Sequence, residues 1–123
     1  MTASSAIHAG RQAAERLMID QCAISRIAHG VDVDGLDTVT EELVYAGRCK
    51  VQSVTVQESD IVSAGVPLVV DRLRVDVPVG AGPFAVGDLV QVEGRSRRLR
   101  VVGLLEKTFQ TAQRLPVEEV IGL

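Results

Sequence analysis

Between Val66 and Val79 apolar and polar residues alternate at every second position, and no other feature restricts the fold as strongly. Val69, Leu73, Val75, Val77 and Val79 fall on one side, and Val70, Arg72, Arg74 and Asp76 on the other, with Asp71 interrupting the apolar row. Successive side chains of a strand point to opposite faces, so the pattern predicts a long strand with one face in a core and one in water. Pro78 and Gly80-Ala81-Gly82-Pro83 end it. The chain holds 21 valines against two Phe, one Tyr and no Trp. β-branched side chains suit a pleated surface, so that excess extends the strand expectation to most of the sequence.

Further strands are expected at 21–28 (Cys22 and Ile24 on one face), 38–45, 48–56 (Cys49 and Val51 on one face), 89–93 (Val90 and Val92 inward), 98–105 (Leu99, Val101, Gly103 and Leu105 on one face) and 112–121. His29–Asp37 joins the first two as a hairpin loop, and Pro116 marks the last strand as an edge or a bulge. The exception comes first. Over residues 3–19, Ala3, Ala6, Ile7, Gly10, Ala14, Leu17 and Met18 recur at helical spacing, with Arg11, Gln12, Glu15 and Arg16 opposite. Thr2, Ser4 or Ser5 would cap this helix, and Gly10 costs about 1 kcal/mol unless something packs closely against it. Its small-residue stripe either covers one end of the core or meets a neighbouring subunit. One helix, short strands and no βαβ rhythm define a mainly β fold: a small β-barrel, SH3-like or sandwich-like, with one N-terminal α-helix. At 123 residues it forms a single domain over 1–123, with the barrel over 21–121 and one long loop at 57–65.

The residues point away from chemistry. Gly30-Val31-Asp32-Val33-Asp34-Gly35 resembles part of a calcium loop. Counted from Gly30, Glu41 is twelfth but the first ligand is missing; counted from Asp32, the twelfth residue is Leu43, which cannot ligate. An Asp-Gly hairpin turn explains the segment better. Cys22 and Cys49 are too few for a disulfide scaffold, and with His8 and His29 they match no zinc spacing, so two buried thiols are expected. There is no Gly-x-Ser-x-Gly elbow and no phosphate-binding glycine loop, so no enzyme activity and no cofactor are expected. A net charge of −3 and scarce aromatics argue against a general nucleic-acid binder. No apolar run is long enough to span a bilayer and the N-terminus lacks signal-peptide order, so assembly in the cytosol is expected.

One positive run remains, Arg95-Ser96-Arg97-Arg98-Leu99-Arg100, at a hairpin tip. It is a solvated charged hairpin, a protein interface or a phosphate contact. With Arg114, Glu118 and Glu119 it forms the candidate subunit interface.

Several segments recur in an order known from one group of virion proteins. The helix ends in Ala13-Ala14-Glu15-Arg16-Leu17-Met18-Ile19-Asp20, and Cys22-Ala23-Ile24-Ser25-Arg26 follows. Then come Tyr45-Ala46-Gly47-Arg48-Cys49-Lys50-Val51-Gln52, Val77-Pro78-Val79 and Val86-Gly87-Asp88-Leu89-Val90. Lys107-Thr108-Phe109-Gln110-Thr111-Ala112-Gln113-Arg114-Leu115-Pro116-Val117-Glu118-Glu119 closes the series. Together they resemble the head-to-tail stopper, or head-closure, family of long-tailed actinobacteriophages across nearly the whole chain. Two places depart from that pattern: the connection at 94–97 is short, and the first hairpin lacks a Pro-Thr-Gly turn.

The resemblance implies a structural protein of the virion neck, assembled in the host cytoplasm. Six or twelve copies would form a ring between the portal and adaptor on the head side and the tail terminator or tail tube on the other. Genomic DNA would pass through the channel without sequence-specific binding, and no membrane would be involved. A loop from each subunit would block the channel; the candidate is Glu58, Ser59, Asp60, Ile61, Val62 and Ser63, whose acidic residues repel phosphate. The rivals are a tail terminator or other neck protein and, in a different class, a small cellular β-barrel binding module. The latter would need an exposed aromatic groove, whereas Tyr45, Phe84 and Phe109 are far apart in sequence.

Overall fold

The computed structural model describes residues 2–63, 66–104 and 110–121, and for 54–63 and 66–71 the backbone alone. Among the described residues there are one helix, α1 (Ala3–Arg16), and six strands: β1 (Asp20–Val31), β2 (Asp37–Ser63), β3 (Val66–Val77), β4 (Leu89–Val92), β5 (Leu99–Val101) and β6 (Gln113–Glu119). All pairings are antiparallel, and the sheet closes on itself in the order β1-β2-β3-β6-β5-β4. The expected mainly β barrel with one N-terminal helix is therefore the fold, in its closed rather than its sandwich form.

Period-two alternation builds the core. Cys22 and Ile24 of β1, Cys49 of β2, Val75 and Val77 of β3, Val90 and Val92 of β4, Leu99 and Val101 of β5, and Leu115 and Val117 of β6 all point inward and are buried. Phe84 plugs the cluster, with Tyr45 edge-on to it at 6.2 Å between ring centroids. The two aromatics that stand far apart in sequence thus meet at the core boundary, and Phe84 is only 8% exposed; Phe109 lies outside the described residues. A side chain at Gly47 would come within 2.8 Å of the Tyr45 hydroxyl, which donates to the Arg48 carbonyl at 2.7 Å. Gly47→Ala is therefore expected to displace the Tyr45 ring from Phe84 and cost about 1–3 kcal/mol, measured by urea unfolding.

From the sequence, separate strands are expected at 38–45 and 48–56 and a loop at 57–65. The structure corrects both. β2 is one strand of 27 residues, with a contour of about 90 Å. Val44 is the extra residue where the register shifts between Ile24 and Ser25, and the strand continues through Ala46 and Gly47. β2 pairs with β1 from Asp37 to Cys49 and with β3 from Lys50 to Ser63, so it changes partner midway. Residues 57–63 are strand because Val66–Val70 offer a β-rich partner for the ladder, which overrides the polar run Gln57-Glu58-Ser59-Asp60. That ladder is irregular: β2 advances from Glu58 to Val62 while β3 moves only from Leu68 to Pro67. Residues 64 and 65, the rest of the expected loop, lie outside the described residues.

Both ends of β2 outrun the barrel. β4 pairs with β1 only over Cys22–Ser25, so 26–31 and 37–42 continue as a two-stranded ribbon. β6 pairs with β3 only over Leu73–Val77, so 54–63 and 66–72 continue as a second ribbon. Antiparallel connectivity places the two hairpin ends at opposite ends of the barrel. The first closes tightly: Gly35 N–H donates to the Asp32 carbonyl at 3.1 Å, and the Asp32 carboxylate accepts from Asp34 and Leu36 N–H, both at 2.9 Å. Gly35 takes φ 79°, a left-handed conformation that glycine adopts without steric cost.

Two smaller expectations also change. Pro116 is expected at an edge or a bulge, but β6 lies between β3 and β5. The proline is tolerated because the ladders are staggered: β5 pairs only from Val117 onward, and the Pro116 carbonyl accepts from Val102 N–H at 2.9 Å. The last strands are also shorter than expected, since 102–104 leave the sheet after Val101; Leu105 lies outside the described residues.

Helix α1 starts where Thr2 Oγ1 accepts from Ser5 N–H at 3.1 Å and stops at Leu17, short of the expected residue 19. None of its residues is fully buried, but Ile7, Gly10 and Ala14 of the small-residue stripe are half-buried, and Met18, just beyond the helix, is buried. Arg11 Nε donates to the Gln110 carbonyl at 2.9 Å, and a Cβ at Gly10 would lie 3.0 Å from Thr111 Cγ2. This close approach is the packing that makes a mid-helix glycine worth its cost.

Candidate functional site

A buried carboxylate and an arginine lock the base of the first ribbon to the barrel. Arg26, on β1 just past the last β4 contact, donates from Nε to Asp88 Oδ1 at 2.9 Å and from Nη2 to Asp88 Oδ2 at 3.0 Å. The same Nη2 reaches the Pro83 carbonyl at 3.2 Å, and Asp88 Oδ2 also accepts from Ala85 N–H at 2.8 Å. Asp88 is 1% exposed, so its charge is balanced wholly by protein groups. The bond to Asp88 holds the Arg26 guanidinium above its ordinary pKa. This explains why Asp88 stands beside Gly87 in the turn that precedes β4.

Next to the ribbon's base a groove of about 280 Å³ is lined by Ala23, Ser25, Glu41, Leu43, Leu89, Gln91 and Arg98. Its polar side is a short chain: Ser25 Oγ donates to Glu41 Oε1 at 2.6 Å, and Arg98 Nη1 donates to the same oxygen at 2.9 Å. The serine bond foremost, then the charge of Arg98, against a desolvation that opposes them, holds the Glu41 carboxyl below its ordinary range. A lowered folded pKa contributes stability above the unfolded carboxylate pKa that is lost as pH falls through the folded value. Titration of Glu41 by NMR is expected to show this lowered midpoint, and Ser25→Ala is expected to move it back towards the free side chain.

The basic hairpin joins the same network. Arg95 and Arg97 pair with Glu119 at 3.2 and 3.5 Å, Arg98 with Glu41 at 2.9 Å, and Arg100 with Glu118. The β5–β6 register brings these groups together, with Leu99 opposite Glu119 and Arg100 opposite Glu118. Apart from Arg114, which lies opposite Asp76 of β3, the sequence-based interface residues are thus all in ion pairs within the one chain. A phosphate would have to compete with four carboxylate contacts. Exposed pairs of this kind each contribute about 0–1 kcal/mol.

The candidate channel segment, Glu58, Ser59, Asp60, Ile61, Val62 and Ser63, lies near the far end of the second ribbon. The thiols of Cys22 and Cys49 are buried and not bonded to each other, and the hydrogen bond between them lowers the pKa of Cys22 and, with burial, raises that of Cys49. Among the described residues no three His, Cys, Asp or Glu side chains gather as a metal site, and no helix is long and apolar enough to cross a membrane.

The outer face of the first ribbon has no counterpart among the sequence expectations. Val31, Val33, Leu36, Val39 and Leu43 are each between 63% and 101% exposed. The signal was present as Val31, Val33 and Leu36 inside a segment otherwise made for a turn. Apolar side chains there contribute nothing to the turn itself.

These features define a class: a small closed antiparallel barrel whose longest strand extends at both ends into two-stranded arms, with the arginines of its basic hairpin paired internally. The chain belongs to the Family of unknown function (DUF6093), which it matches over residues 10–118. No curated protein and no solved structure matches it.

Proposed function

We propose that this chain is the head-to-tail stopper of a long-tailed phage, a structural subunit whose ring closes the DNA-filled head and receives the tail. The sequence resemblance supplies the role, and the observation that carries it structurally is strand β2. A ring subunit in the neck has to reach its neighbours and the channel from one rigid body. A strand that runs through the barrel and leaves it at both ends as a paired ribbon suits that need, because each ribbon's backbone is already half satisfied and needs little further ordering to engage a partner.

In this reading the channel element is a hairpin arm rather than a loop. Glu58 and Asp60 place negative charge on the arm formed by β2 and β3. Copies converging on the axis would repel phosphate and obstruct DNA without binding it. Replacing 57–69 with an Asn-Gly turn keeps the Val56–Val70 pair as the closing step of the hairpin. Particles carrying that change are expected to assemble necks but lose packaged DNA, measured as nuclease-sensitive DNA in purified particles. Full DNA retention would remove the arm from this role. The role itself is tested by antibody labelling of virions: gold at the head–tail junction is expected, whereas label along the tail or none would contradict it.

A further inference from the structure

We infer that the first arm is a docking element for a second copy of this chain, and that it seats on the surface at the opposite end of the same β1–β2 ladder. The inference deepens the ring reading and rests on its self-assembly part.

The arm's outward face follows from the register. Ser25, Ile27, His29 and Val31 lie opposite Leu43, Glu41, Val39 and Asp37, so these pairs share one side of the ribbon. The other side carries Arg26, which turns towards Asp88. The outward side therefore joins Val31, Val39 and Leu43 into an exposed apolar strip, extended at the tip by Val33 and Leu36. At the tip its charge is negative: Asp32, Asp34 and Asp37 stand there with no Lys or Arg between 27 and 47, whereas Glu41 is paired with Arg98 and Glu42 lies on the Arg26 side.

The other end of the ladder has the matching character. Cys22 and Cys49 point inward, so their neighbours Gln21 and Arg48, which are register partners, point outward. Just before them Leu17 is 60% and Ile19 83% exposed, and Arg16 closes helix α1. Apolar side chains flanked by Arg16 and Arg48 thus face solvent at one end, and apolar side chains flanked by Asp34 and Asp37 at the other. Two complementary patches at opposite ends of one rigid ladder give a heterologous contact, which repeats from copy to copy and closes when the rotation permits. Charge pairs at such a rim set orientation and association rate, and the apolar strip excludes water.

The test uses the purified full-length chain in sedimentation velocity over a wide concentration range. The wild type is expected to self-associate, and more weakly at high salt. Asp34→Arg/Asp37→Arg on the arm, or Arg16→Glu/Arg48→Glu on the patch, is expected to weaken association about tenfold or more with unchanged circular dichroism. Mixing the two variants is the decisive step. Each retains one native surface, and the two charge-reversed surfaces complement each other, so the mixture is expected to regain the self-association that either variant alone has lost. A wild type that stays monomeric throughout, variants that assemble like the wild type, or a mixture that does not pair would each overturn the inference. If the pairing fails while antibody still marks the neck, the contact is wrong and the neck role stands; the converse result leaves the contact and removes the role.

Discussion

Arg26→Leu is expected to be the most damaging substitution among the partly exposed residues, and Arg26→Leu/Asp88→Leu is expected to recover most of the loss. The asymmetry comes from burial. The Arg26 side chain is 41% exposed and can turn to water, but the Asp88 side chain is 1% exposed and cannot. Removing the arginine strands a carboxylate among Ala85, Pro83 and the start of β4, where its remaining bond is from Ala85 N–H. Breaking a buried pair from one side is strongly destabilising, whereas replacing both partners with apolar groups is often neutral. Asp88→Ala should fall between the two, because the freed guanidinium rehydrates. Urea midpoints of the three variants give the order, and a double variant less stable than Arg26→Leu would contradict the assignment of Asp88 as the buried charge.

Leu99→Ala carries the second large effect, about 2–5 kcal/mol. Strand β5 has three residues and holds β4 to β6, so it completes the barrel. Leu99 is fully buried at its start, paired with Val90 on one side and Glu119 on the other. Truncation opens a cavity beneath a strand too short to collapse into it. The neighbouring ion pairs of Arg98 and Arg100 depend on the same strand, so Arg98–Glu41 should loosen as well, seen as an upward shift of the Glu41 midpoint. A loss below about 1 kcal/mol would mean that the site repacks and that β5 is not the closing element.

The parts of this fold legible in the sequence are those set by local period. Inward Val75 and Val77, Val90 and Val92, and Leu99 and Val101 follow from alternation alone, and the Asp32–Gly35 turn from its residues. What was not legible depends on partners distant in the chain. A polar run at 57–60 reads as a loop until the strand opposite it is known, because ladder pairing is decided by both strands. Asp88 reads as a turn residue; only the fold brings Arg26 to it. The basic cluster at 95–100 reads as available charge until β6 places Glu118 and Glu119 beside it. The exposed strip on the first arm was hidden by the opposite error, since apolar residues flanking a turn are ordinarily assumed to be covered.

Electron microscopy of particles made when this gene is silenced in its phage tests the central claim most directly. The stopper reading is expected to give heads that have lost their DNA beside finished, unattached tails. Full heads beside abnormal or overlong tails would move the chain to the tail terminator, and normal infectious virions would contradict a neck role altogether.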